Sequence, residues 1–146
     1  MRLDLSVNML TMQALRSQRI TVFGGNQTRP NIHINDLVDI YIHFLDMGDK
    51  FNGIYNAGFE NLSILEIANI ISKNIPSEII VTKSNDPRSY RLNSDKLLNT
   101  GFNPKYGINT AIEELIKTYQ QGVLEDKDEF YNIRTMIKLF GNVSEG

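Results

Sequence analysis

The sequence predicts an α/β fold, a small parallel or mixed sheet accompanied by five to six helices. Short β-rich runs alternate with stretches of helical periodicity, and the strands are separated by segments of crossover length where tight hairpins would otherwise join them. Length and composition fit one modest core: 146 residues, 41% hydrophobic and 22% charged, are an ordinary globular mixture.

Val7, Leu10, Ala14 and Leu15 recur at helical spacing, and this first helix runs into Arg19-Ile20-Thr21-Val22-Phe23, a short strand closed by Gly24-Gly25. Beyond Gln27-Thr28-Arg29-Pro30, the stretch Asn31-Ile32-His33-Ile34 reads as a strand. Asn35 then caps a helix with Val38, Tyr41, Ile42 and Leu45 on one face. Phe51 to Ala57 reads as a buried strand ending at Gly58. Ser63 and Glu66 have the spacing of a capping box ahead of Ile64, Ile67, Ala68 and Ile71. Pro76 ends that helix, and Glu78 to Thr82 is β-rich before the polar loop Lys83 to Arg88. Ser94 opens a short helix that Gly101 terminates, and Thr110 with Glu113 caps a longer one that turns Ile112, Ile116 and Tyr119 inward. Phe130, Ile133, Ile137 and Phe140 mark a last helix, and the residues after Gly141 are expected to fray. The apolar helix faces exceed what so thin a sheet covers, so some await a partner.

Charge and residue inventory exclude several kinds of function. Fifteen basic against seventeen acidic residues leave a net charge of -2, which disfavours a nucleic-acid binder that relies on bulk positive charge. Without cysteine there is no disulfide framework, thiolate nucleophile or thiolate zinc site, and His33 and His43 fall on different elements, so no metal site is expected. The first residues lack the apolar core of a signal peptide, and no apolar run approaches the ~18 residues that span a membrane. A cytoplasmic protein without a membrane partner is expected.

The candidate ligand-binding residues are arginines. Arg29 lies in a polar turn after the glycine pair and Arg88 in an Asp-Pro-Arg loop after a later strand, both at strand ends where open α/β sheets bind ligands. A guanidinium offers planar paired donors that match phosphate oxygens, so two of them can clamp a diphosphate; taken singly, each also fits a solvated surface arginine. Asn8, early in the first helix, can add an amide hydrogen bond. Gly24-Gly25 reads as a turn rather than a phosphate cradle, His33 as a structural histidine, and the pairs Glu113-Glu114 and Glu125-Asp126 as solvated faces. The chain contains no Gly-x-x-Gly-x-x-Gly after a strand, no nucleophile elbow and no Tyr-x-x-x-Lys pair, so no catalytic residue is assigned.

Several blocks form an ordered pattern. Met1 to Leu10, Ile20 to Gly24, Gln27 to Leu37, Ile54-Tyr55-Asn56-Ala57-Gly58, Asp86-Pro87-Arg88-Ser89-Tyr90, Ser94-Asp95-Lys96 and Leu98 to Pro104 together resemble the C-terminal half of extended short-chain dehydrogenase/reductases. These are the NAD-dependent nucleotide-sugar epimerases and dehydratases, and the resemblance covers about residues 1 to 121. It implies a substrate-binding region over 1–122, with parts near 31–58 completing a Rossmann sheet in a full-length protein, and a C-terminal helix and frayed tail over 123–146. It also implies that the NAD-binding Rossmann domain and the catalytic Tyr-x-x-x-Lys pair belong to a missing N-terminal half. NAD is then the cofactor of the full-length family, with none expected on this chain alone, and a truncated or partial chain, inactive by itself, is expected.

Residue by residue, the resemblance makes Asn8 a contact to the nucleotide diphosphate, Thr21 and Phe23 backbone contacts to the base, and Arg29 and Arg88 the two arginines on the pyrophosphate. Pro30 departs from the aspartate that many members carry and costs the strand a backbone donor. The expected ligand is therefore a nucleotide-diphosphate sugar. The alternative is a free-standing, non-catalytic binding or assembly module derived from the same fold.

Overall fold

The computed structural model describes residues 2–50 and 52–141. Phe51, the expected start of a strand, and the tail beyond Gly141 lie outside them. Helix α1 (Ser6–Ser17) ends at Gln18, whose left-handed backbone turns the chain into strand β1 (Arg19–Phe23). Strand β1 pairs in parallel with β4 (Glu78–Thr82), from Arg19 opposite Glu78 to Phe23 opposite Thr82, and an Arg19–Glu78 ion pair of 3.2 Å marks the start of the register. Alternation along β1 sends Ile20 and Val22 inward, where both are completely buried. They join Leu10 and Ala14 of α1, Ile67, Ala68 and Ile71 of α3 (Ile64–Asn74), and Ile108 and Ile112 of α5 (Ile108–Gln120) in the main core. The capping box is present: Ser63 Oγ accepts the Glu66 N–H while the Glu66 carboxylate accepts the Ser63 N–H.

Elsewhere tertiary contacts move element boundaries away from their sequence signals. Strand β2 (Thr28–Asn31) lies earlier than the expected Asn31–Ile34 run and pairs antiparallel with β3 (Glu60–Ser63), so the strand pairings are not all parallel. The ladder stops because His33 serves as N-cap of α2 (Ile34–Met47), its Nδ1 accepting the Asn35 N–H at 3.2 Å; Asn35, the expected cap, is inside the helix. Residues 52–57 form no strand, since no neighbour offers a ladder and pairing resumes only at Glu60. Helix α5 starts ahead of Thr110 because Glu60, from β3, reaches across to accept the Ile108 N–H at 2.7 Å. Gly107 makes room for that cap, as a Cβ there would sit 3.2 Å from the Glu60 carboxylate.

Two smaller clusters complete the interior. Leu3, Met12, Leu115 and Leu124 pack with Phe130 and Tyr131, while Ile40, Leu97 of α4 (Asp95–Leu98) and Phe102 pack with Phe44, Tyr55 and Phe59. Phe130 belongs to a 3-10 turn, and the last helix, α6 (Asn132–Phe140), has no buried residue. The outward face of α2 is apolar too: Ile34, Val38, Tyr41, Ile42 and Leu45 are all exposed, Leu45 at 80%, and Ile54 beyond it at 87%. Among the described residues no helix is long and apolar enough to cross a membrane, and no group of three His, Cys, Asp or Glu side chains is placed to hold a metal ion.

Candidate functional site

The candidate site forms where β2 meets the loop after β4. Gly24 and Gly25 carry the chain from β1 to β2 with positive φ angles, and Gln27 locks the turn, accepting the Gly25 N–H at 2.7 Å and donating to the Phe23 carbonyl at 3.0 Å. A Cβ on Gly24 would lie 2.5 Å from the Gln27 amide, so the turn depends on glycine. The loop beyond β4 has no secondary structure of its own and is held by neighbouring strands. Thr28 N–H donates to Ser89 Oγ and Tyr90 N–H to the Thr28 carbonyl, while the Asn61 side chain on β3 pairs with both backbone groups of Leu92.

These ties bring Arg29 and Arg88 together. Arg29, 19% exposed, donates through Nη1 to the carbonyls of Thr28 and Arg88, lies over the Tyr90 ring at 5.3 Å, and reaches Asp86 Oδ2 through Nη2 at 3.3 Å. Arg88, 76% exposed, forms a two-point pair with the same carboxylate: Nε to Oδ1 at 2.7 Å and Nη2 to Oδ2 at 2.8 Å. The Arg88 N–H also donates to Asp86 Oδ1 at 3.0 Å. Donation from the Arg88 side chain, then from its N–H, with a smaller attraction from Arg29, holds the Asp86 carboxyl down to about 2. Two cations thus converge on one carboxylate, leaving a net positive, donor-rich surface.

The other sequence candidates lie apart. Asn8 donates to the Arg2 carbonyl at 2.7 Å. Thr21 N–H donates to Gln13 Oε1, and the Phe23 carbonyl accepts from Gly25 and Gln27 while its ring stands exposed. Among the described residues none of these three shares a hydrogen bond or ion pair with Arg29 or Arg88. His33 is buried and structural, stacked on Tyr106 and bonded through Nε2 to Glu114 at 3.2 Å, so Glu114 is not simply a solvated carboxylate. Asp126 is mostly buried and ion-paired with Arg16, which corrects its reading as a solvated face. Sequence reasoning did not single out Asp86, Tyr90 or Asn61; the Asp-Pro-Arg spacing, which lets an aspartate fold back onto an N–H two residues on, is the available signal for the first.

No protein-family model matches the chain. In structure, a variant of the UDP-glucuronic acid 4-epimerase of Bacillus cereus, in complex with UDP-4-deoxy-4-fluoro-glucuronic acid and NAD, aligns with TM-score 0.69 and 21% identity over 82% of this chain and 41% of its own. The dTDP-glucose 4,6-dehydratase of Bacillus anthracis, in complex with NAD, aligns with TM-score 0.67 and 19% identity over 91% of this chain and 43% of its own. The chain has part of the fold of these two enzymes, that of the extended short-chain dehydrogenase/reductases. In sequence, the anthocyanidin reductase of Arabidopsis thaliana is 28% identical over 100 residues, 66% of this chain and 29% of the reductase. The chain therefore spans less than half the length of each of these three proteins.

NAD in the two solved relatives raises the question of whether this chain's residues fit a dinucleotide. Such a group rests its phosphates at a helix N-terminus behind a glycine-rich turn. Here the paired glycines after β1 lead into β2, and the Gly24 and Gly25 amides already donate to the Thr82 carbonyl and to Gln27 Oε1. The turn after β1 is therefore not built as a dinucleotide phosphate cradle.

Proposed function

We propose that this chain is the nucleotide-diphosphate-sugar-binding portion of an NAD-dependent sugar epimerase or dehydratase, and that Arg29 and Arg88 anchor the diphosphate. The observation that carries the reading is the convergence of both guanidinium groups on one carboxylate: two oxygens of an anion take the donors that two phosphate oxygens would take. Arg29 is held by β2, Tyr90 and the loop, so its charge is fixed in place before a ligand arrives. Anchoring the diphosphate here orients the sugar, and binding energy far from the reacting carbon serves that orientation. Asn8, through its amide, and Thr21 and Phe23, through backbone contacts to the base, are the proposed outer contacts.

The chemistry itself falls to an N-terminal half that carries NAD and the proton-transferring tyrosine. The exposed stripe of α2, together with Ile54, is the surface proposed to receive it, which accords with a chain that spans about 40% of its solved relatives. Titration calorimetry with UDP-, dTDP-, GDP-, CDP- and ADP-sugars tests the anchor. One diphosphate class binds, and Arg29→Ala/Arg88→Ala, still folded by circular dichroism, loses it; each arginine accounts for about 1.5–3 kcal/mol, roughly ten- to a hundredfold in Kd. A folded chain that binds none of the five overturns the proposal.

A further inference from the structure

The proposed anchor contains its own anion. We infer that Asp86 is a built-in competitor for the diphosphate site, its carboxylate taking the arginine donors that a diphosphate needs, so that binding is an exchange of one anion for another. The inference rests on the diphosphate reading above and goes beyond it by assigning Asp86 the control of affinity.

Three observations carry it. The Arg88 fork is committed to Asp86, with Nε and Nη2 on the two carboxylate oxygens at 2.7 and 2.8 Å, and no other partner holds that side chain among the described residues. Arg88 is also 76% exposed, so it can swing outward with a ligand. Arg29, by contrast, has anchors besides Asp86, in the Thr28 and Arg88 carbonyls and the Tyr90 ring. Removing the Asp86 charge therefore frees the Arg88 fork for a ligand while Arg29 stays in place. The carboxylate also stays ionised throughout the neutral range, held down to about 2, so protonation does not relieve the competition. The opposite assignment, a carboxylate that presents the arginines correctly, predicts the opposite sign for its removal.

Asp86→Asn keeps the size of the side chain and an oxygen to accept the Arg88 N–H. Asp86→Ser, which also retains an acceptor, is the second variant should the first fail to fold. Titration calorimetry with inorganic pyrophosphate and with UDP, at about 0.15 M salt where distant surface charges are screened, reads the effect. Asp86→Asn and Asp86→Ser tighten both ligands about tenfold, and Glu113→Gln, an exposed carboxylate on α5, leaves both unchanged. Binding by the variants where the wild-type chain shows none supports the inference equally. Unchanged or weaker binding by the variants, with the wild-type chain binding, overturns the competitor and leaves the diphosphate reading standing. No binding by any folded form overturns both, and equal tightening by Glu113→Gln reduces the effect to net charge and overturns the competitor alone.

Discussion

Asp86 draws its unusual acidity from two residues away. Its pKa lies below the ordinary 3.8, so its charged contacts favour the folded loop above that value, and their contribution is lost as pH falls through about 2. A side-chain carbonyl-carbon NMR titration should place its midpoint near 2 in the wild-type chain and back toward 3.8 in Arg88→Ala, because the Arg88 fork is the largest cause of the shift. A midpoint that stays near 2 in that variant contradicts the assignment. The two arginines were legible in the sequence as cations at strand ends, yet their meeting on one carboxylate was not. That meeting depends on Ser89 and Asn61, which stitch a structureless loop to β2 and β3, and nothing in local spacing records a tie between residues so far apart. His33 shows the same limit: its place in an alternating apolar run suggested a strand, whereas its ring caps α2.

Whole elements were readable where their determinants are local. The β1 run, the capping box of α3 and the left end of β4 follow from alternation, Ser63 with Glu66, and Pro76. Ser63→Ala removes the side-chain acceptor of that box and should lower stability by about 0.5–2 kcal/mol in urea unfolding, with an unchanged denaturant slope. No change would mean that the cap is replaced by water at no loss. Elements capped from afar were misread. Helix α5 starts where Glu60 reaches it rather than at Thr110, and the apolar run after residue 51 stays out of any ladder because a strand exists only with a partner.

At the scale of the molecule, α2 is apolar on both sides. Ile40 and Phe44 face the chain's own third cluster, and Tyr41 and Leu45 face outward, a distribution typical of a helix covered all round. Leu45→Lys, at a position 80% exposed, should shift the unfolding free energy of this chain by less than about 0.5 kcal/mol while abolishing its association with a separately expressed N-terminal half. Analytical ultracentrifugation of the mixture decides it: association retained by the variant excludes α2 as the contact. The excess of apolar surface and the face of α2 that carries it are visible in the sequence; that this face lies outward is not, because that requires knowing how α2 lies on Leu97 and Phe102. A different feature bears on how the chain is made. Leu3 N–H donates to the Phe130 carbonyl at 2.8 Å, and Asn132 N–H donates to Asp4 Oδ2 across 128 positions of sequence. Synthesis delivers residues 2–4 long before 130–132, so the cluster around Leu3, Met12 and Leu124 is the last to close. Until the ribosome has finished that stretch, the underside of α1 is open to chaperones and proteases, and a ribosome stalled before residue 124 leaves it open for good.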